Sequence, residues 1–233
     1  MAATKSSEAE RTKLSRSAVV GRALALADSA GLEALTIRRL ATELGVTPMA
    51  LYWHFRSKEE LIAGVADRIW GEIRTDVDRS SPWPDQLRMM LESLIDVLRS
   101  HPSASALLLN SEKLGPSHWQ ATETTLDILH QAGFDPLRAS EIAKSGLWAG
   151  LTLVMSEPAV GQPGYGTGIT QQELAEVMRR KQVELASLPP DRYPRLVAAA
   201  IPLTACDGDA DFHYRFGVDL FIAGVRALAP SGS

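Results

Sequence analysis

Cysteine is nearly absent: Cys206 stands alone among 233 residues. An intrachain disulfide framework is excluded, and the usage fits a reducing cytoplasm. Long hydrophobic runs are missing too. The longest, Gly146 to Met155, is about half the ~18–20 residues that a membrane span needs, and is expected to be a buried helix. The N-terminal "MAATKSSEAERTKLSRS" lacks the apolar stretch of a signal peptide, so residues 1–13 are expected to form a flexible polar arm. No membrane partner is expected. The five His show no metal-binding spacing, and neither a metal nor a cofactor is expected. "GQPGYGTG" is rich in Gly, but no strand precedes it and no Lys-Ser/Thr follows, which argues against a phosphate loop. No G-x-S-x-G elbow appears, and no Ser, His and Asp are brought together by spacing. Nothing here announces an enzyme.

Charge is unevenly spread. The whole chain carries −4, yet Arg11 to Lys58 holds eight Lys/Arg against Asp28, Glu33 and Glu43. That segment is basic by +5 and the remainder acidic by −9. Such asymmetry suits one lobe facing nucleic acid on an acidic body, although chance clustering gives the same count.

What is present is helical periodicity, with little β-like alternation. "SAVVGRALALADSAG" predicts a helix stopped by Gly31 in the left-handed region. Thr36 N-caps "IRRLATEL", which stops at Gly45. Thr47 caps a third helix with Pro48 at its first position. Ser57 and Glu60 form a capping box for a fourth, expected to run to about Asp78. "SSPWP" then breaks the chain. Further helices are expected over 85–100, 103–110, 117–131, 136–157, 170–187, 194–203 and 209–228. The fold class is therefore all-α. An N-terminal three-helix domain is expected over 14–74, with a helix-turn-helix at 36–55. A larger helical domain is expected over 80–229.

Three short helices with a tight Gly45 turn match the helix-turn-helix pattern, in which the last helix enters the major groove. Leu51 and Phe55, one turn apart, can pack inward, leaving Pro48, Met49 and Tyr52 on the opposite face. Lys58 opens the fourth helix, where the dipole and its ammonium both favour phosphate.

"LTIRRLATELGVTPMALYWHFRSKEELI" resembles the DNA-binding domain of TetR-type repressors, chiefly through Thr36, Arg38, Leu40, Ala41, Leu44, Gly45, Val46, Leu51, Tyr52, His54, Phe55, Lys58 and Leu61. "SHPSASALLLNSEKLGPSHWQATETTLDILHQAGFDP" and "FHYRFGVDLFIAGVRAL" look like the tetracycline-repressor type of C-terminal domain. The resemblance implies a homodimeric repressor that binds a palindromic double-stranded DNA operator and is released by a small-molecule inducer. It places Arg38 at a base-reading position and Pro48, Met49 and Ala50 at the base-facing start of the recognition helix. Tyr52, His54 and Lys58 fall where the backbone is touched; Thr36 and Thr47 complete the DNA-binding set. Pro48 and Ala50 depart from the polar residues of tetracycline repressors and can make no bidentate base contact; Met49 and Ala50 can offer only apolar ones.

The last helix carries two apolar stripes. Phe212, Phe216, Leu220 and Gly224 form one; Tyr214, Val218, Phe221 and Val225 form the other. A helix apolar on two sides needs two neighbours. One is the domain's own core. The other is a dimer mate, with Gly146, Gly150, Gly217 and Gly224 permitting close approach beside Phe216 and Leu220; a fully internal helix in a monomer is the rival. Met90, His101, Asn110, Trp119, Trp148 and Met155 are candidate ligand-binding residues, with Met89, Met178, His118 and Glu157 as further candidates, although large apolar side chains of this kind are more often plain core than pocket. The inducer is expected to be largely apolar. The resemblance aligns His101 with a metal-holding His of tetracycline repressors, but Met90 stands where an Asn belongs, which argues against tetracycline. Two rivals remain: an enzyme with a regulatory helix-turn-helix, and a DNA-binding regulator without a small-molecule ligand, controlled by a protein partner.

Overall fold

The computed structural model describes residues 14–102, 107–110, 115–156, 171–205 and 209–230. The arm, the Gly161–Gly168 loop, Glu157, Cys206 and the Asn110 side chain lie outside the described residues. Those described form helices and connections, with no strand among them.

Four helices make the N-terminal unit: α1 Arg16–Ala30, α2 Ile37–Leu44, α3 Pro48–Tyr52 and α4 Lys58–Trp70. Each starts where the sequence supplies a cap. Ser15, Thr36, Thr47 and Ser57 accept from the backbone N–H three residues on. Gly31 ends α1 at φ 82°, ψ 158°. Its φ is positive as expected, but its ψ is extended rather than left-handed helical, a region open essentially to glycine. Gly45 is left-handed, at φ 66°, ψ 28°. The Gly45 N–H returns to the Thr42 carbonyl and the Val46 N–H to that of Ala41, a Schellman ending that turns α2 sharply into α3. Val19, Ala23, Leu40, Leu51, Leu61 and Val65 close the small core.

α4 is shorter than its periodicity predicts. It stops at Trp70, with Gly71 as C-cap, rather than near Asp78. The Arg74 N–H leaves the helical ladder to donate to Ser93 Oγ at 2.8 Å. Asp78 instead organises a turn, its carboxylate accepting from the Ser80 N–H and both serine hydroxyls. Two apolar positions assigned to a longer helix, Ile73 and Val77, still pack on the core from non-helical backbone.

The second unit begins with α5 Trp83–Ser100, two residues earlier than expected, because Pro84 is tolerated in a first turn. α6 Leu107–Asn110, α7 Pro116–Gln131 and α8 Pro136–Met155 follow. Then come α9 Gln171–Ala186, α10 Pro194–Ala198, α11 Ala200–Thr204 and α12 Ala210–Leu228. The single helix expected over 194–203 is two. Pro202 has no N–H to offer the Ala198 carbonyl, so the ladder breaks there. α5, α7, α8 and α12 pack on one another around Leu98, Ile128, Leu129, Leu151, Val218 and Ile222. α9 packs on α10 and α11.

α4 joins the units. Its body lies on α1 and on α7. Near its end, the Asp67 carboxylate accepts the Ser117 N–H at 2.8 Å, capping the start of α7. Just beyond, Glu72 meets His101 at the end of α5.

Candidate nucleic-acid interface and ligand cavity

The start of the site lies in a conflict within α3. Leu51 and Phe55 are buried, as their spacing requires, while Met49 is 67% exposed and Trp53 86% exposed. Pro48 and Tyr52 are exposed beside them, and Ala50 and His54 half-buried. A five-residue helix cannot hide rings on every side. It keeps one apolar side for the core and turns Met49, Tyr52 and Trp53 outward. Trp53 is the residue that sequence reasoning missed; its place next to Tyr52 in an already ring-rich helix was the signal.

The surrounding charge is basic. Arg38 and Lys58 are exposed, and among the described residues neither has a carboxylate partner. Glu43 is engaged by Arg22 at 2.8 Å and by Arg39 at 3.7 Å, so it does not neutralise Arg38. Thr36 and Thr47 are exposed, but their hydroxyl oxygens accept the Arg39 and Ala50 N–H groups, which fixes them as caps. Arg16 pins the recognition helix in place. Its Nη1 donates to the His54 carbonyl at 2.8 Å and to Glu60 Oε1 at 2.9 Å, and its guanidinium lies 4.3 Å from the centre of the Phe55 ring. Glu60 also accepts the Arg56 N–H, one residue before the position a standard capping box uses. That backbone bond, with Arg16, holds its carboxyl below the usual carboxylate range. Exposed apolar rings flanked by unpaired cations suit a polyanion whose bases offer apolar edges.

The second unit contains a cavity of about 340 Å³. Its apolar wall includes Leu87, Met90, Leu91, Leu94, Leu147 and Phe221. Its polar groups are few: Trp70, His118, Thr122, Thr125, Ser140 and Lys144. The size and lining are those of a small-molecule pocket. Two residues of the wall, Trp70 and His118, each carry a buried ring nitrogen, Nε1 and Nδ1, without a hydrogen-bond partner among the described residues. The two rings meet edge to face at 4.7 Å. Burial pushes the His118 imidazole below its ordinary value, against the opposing pull of Asp67.

Of the candidate ligand residues, Met90 and His118 line this cavity. Trp119, Trp148 and Met155 are more than half exposed and lie off its described wall. His101 lies elsewhere, with both ring nitrogens engaged. Nδ1 meets Asp28 of α1 at 2.8 Å and Nε2 meets Glu72 at 2.9 Å. Burial alone would lower its pKa, but the two carboxylates outweigh burial and raise it. His101 is thus a tie between the two units. Nothing in its spacing announced Asp28, 73 residues away.

The last helix divides as its stripes require. Tyr214, Val218 and Val225 are buried, while Phe212, Phe216 and Leu220 are each more than half exposed. The Phe212 and Phe216 rings stack at 5.7 Å. Gly224 faces open space. Gly146 and Gly150 are placed differently from the expected interface. A Cβ at Gly146 would meet Phe221 at 3.2 Å, and one at Gly150 would meet Leu94 at 3.1 Å. Both small residues serve packing inside the subunit.

Comparison with known proteins accounts for both units. The model of "Bacterial regulatory proteins, tetR family" matches residues 20–65, and that of "Tetracyclin repressor-like, C-terminal domain" matches residues 78–229. An HTH-type transcriptional regulator of Saccharopolyspora erythraea is 30% identical over 222 residues, 94% of this chain and 88% of that protein. The HTH-type transcriptional repressor DrrR1 of Streptomyces coeruleorubidus is 31% identical over 215 residues, 90% of this chain and 76% of the repressor. Among solved structures, Streptomyces coelicolor ActR in complex with actinorhodin superposes with a TM-score of 0.77 at 26% identity, covering 94% of this chain and 99% of ActR. The chain therefore belongs to the TetR family of transcriptional regulators, non-enzymatic DNA-binding proteins.

Proposed function

We propose that this regulator is a ligand-responsive repressor that binds a palindromic operator as a homodimer and is released by a small-molecule inducer. Residues 14–74 form the DNA-reading unit and residues 80–229 the ligand-binding and dimerisation unit. Arg38 reads a base; Pro48, Met49 and Ala50 face the bases through apolar contacts. Tyr52, His54 and Lys58 hold phosphates, while Thr36 and Thr47 set the helix starts that present them. Phe216, Leu220 and Gly224 meet the same helix of a second copy. DrrR1, named a repressor, supports the sign of the regulation, and the ActR–actinorhodin complex supports a ligand in the second unit. Repressors of this kind work on DNA, so a cytoplasmic location follows, and no helix among the described residues is long and apolar enough to cross a membrane.

One observation carries the reading. Trp70 is the last residue of α4 and a wall of the cavity, while Lys58 is the first residue of the same helix and stands beside the recognition helix. A ligand that favours one pose of α4 must shift DNA affinity. Such coupling is typically ~1–3 kcal/mol and is reciprocal. The test measures a ligand's affinity with and without operator. Equal affinities for free and DNA-bound protein would sink the mechanism. Control by a protein partner without a ligand leaves the apolar cavity unexplained.

A further inference from the structure

Trp70 Nε1–H can only donate a hydrogen bond, so a group that satisfies it must accept one. It is buried, its residue 8% exposed, and no described residue accepts from it. Beside it, at 4.7 Å between ring centres, His118 has a buried Nδ1 in the same condition. A buried polar atom left unpaired is costly, so two adjacent ones on residues that line one cavity mark where an occupant would bring polarity. The rest of the wall sets the occupant's charge. Lys144 is the only charged wall residue among those described, and Glu141 already pairs with it at 2.5 Å. Thr125 and Ser140 spend their hydroxyl protons on the Ala121 and Leu137 carbonyls. An ionised ligand would lie there without a counter-charge, at a cost far above that of a neutral one.

We propose that the cavity takes an uncharged, largely apolar molecule bearing a carbonyl-type oxygen, which accepts from Trp70 Nε1–H with its neighbouring group against His118 Nδ1. The assignment rests on the ligand-responsive reading and deepens it by naming the ligand's chemistry and its handle on α4. It also accounts for the lone donor sitting on the last residue of the helix that leads back to Lys58.

The experiment uses three probes with one flat ring frame: 9-fluorenone, fluorene and fluorene-9-carboxylate. Calorimetry on the full-length protein measures each, with wild type and Trp70→Phe. Wild type is expected to bind fluorenone about ten-fold tighter than fluorene, the factor one neutral hydrogen bond to a buried group supplies. The carboxylate is expected to bind weakest. Trp70→Phe keeps an aromatic ring and should bind fluorene as wild type does, which shows an intact cavity, while losing the preference for fluorenone. Fluorenone should weaken binding to a selected operator duplex, and do so less in Trp70→Phe. Equal affinities for fluorenone and fluorene, or tightest binding of the carboxylate, overturn the proposal and leave the ligand-responsive reading standing. Failure of all three to bind, or binding in the expected order without effect on operator affinity, overturns that reading and the proposal with it.

Discussion

Two of the surfaces that expose apolar side chains differ in the charge around them. On α3 and its C-cap, Met49, Tyr52 and Trp53 are exposed, as are Arg38 and Lys58, neither of which has a carboxylate partner among the described residues. On α12, Phe212, Phe216 and Leu220 run beside Asp211, Arg215 and Asp219, and Asp219 is paired with Arg88 at 2.6 Å. Exposed apolar area alone says only that a partner is expected. Surplus positive charge selects a polyanion for the first surface. Balanced charge around a straight, stacked aromatic seam suits a second copy for the other. The same kind of side chain therefore reads differently according to its neighbours.

The comparison breaks most visibly if the α12 seam is charged. Phe216→Glu leaves the subunit fold intact, because Phe216 is exposed in it. In a dimer the variant places unpaired carboxylates in an apolar contact, at a cost of several kcal/mol. Sedimentation at micromolar concentration should show a dimer for wild type and a monomer for the variant, with operator affinity reduced by roughly a hundredfold or more. A monomeric wild type would refute the seam.

On the α3 surface, two cations should fail in different ways. Arg38→Ala should lose about 1–3 kcal/mol of discrimination at one symmetric base pair per half-site. Lys58→Ala should weaken all duplexes alike and reduce the salt slope by about 0.9 for each phosphate that is no longer neutralised. Titration against operator and scrambled duplexes at several salt concentrations separates them. Unchanged base preference in Arg38→Ala would make it a backbone clamp, with sequence left to Met49, Ala50 and DNA shape.

A smaller effect concerns the tie between the two units. The His101 pKa is raised from its usual 6.5 by Glu72 and Asp28, which outweigh the opposite effect of burial. Its stabilisation is therefore fully present below 6.5 and lost as pH rises through the raised value. Glu72 is shifted the other way. Burial would raise it, but His101 and Arg68 hold it below 4.5, so its share is lost only as pH falls through that lowered value. Melting temperature should decline as pH climbs above 6.5 in wild type, and His101→Asn should flatten that decline. Parallel curves for the two proteins would show that His101 is no such tie. The smallest expected change is Thr47→Ala, which removes the cap of α3 and should cost about 1 kcal/mol in thermal unfolding.

The N-terminal unit was far more legible in the sequence than the body, for a physical reason. Its elements are set by local signals: Ser15, Thr36, Thr47 and Ser57 at starts, Gly31 and Gly45 at stops. The end of α4 was misplaced because Ile73 and Val77 keep a helical spacing while their backbone is drawn off by Ser93, a partner far along the chain. In the body, the two stripes of α12 declared themselves through periodicity. The cavity did not, since its wall gathers side chains from α4, α5, α7, α8 and α12 that no spacing relates. Trp119, Trp148 and Met155 have the residue types of a pocket and sit outside its described wall; Trp70, inside the helix expected to run to about Asp78, sits within it. Gly146 and Gly150 likewise show that small residues permit close approach without saying to what.

The central claim is that α3 and α12 together make a two-fold symmetric reader of DNA. Selection of duplexes from a random pool by the full-length protein tests it most directly, with the stoichiometry of the selected complex measured alongside. The account predicts an enriched inverted repeat bound by protein in multiples of two. Enrichment of a single unrepeated half-site bound by one subunit, or no enrichment at all, would contradict it.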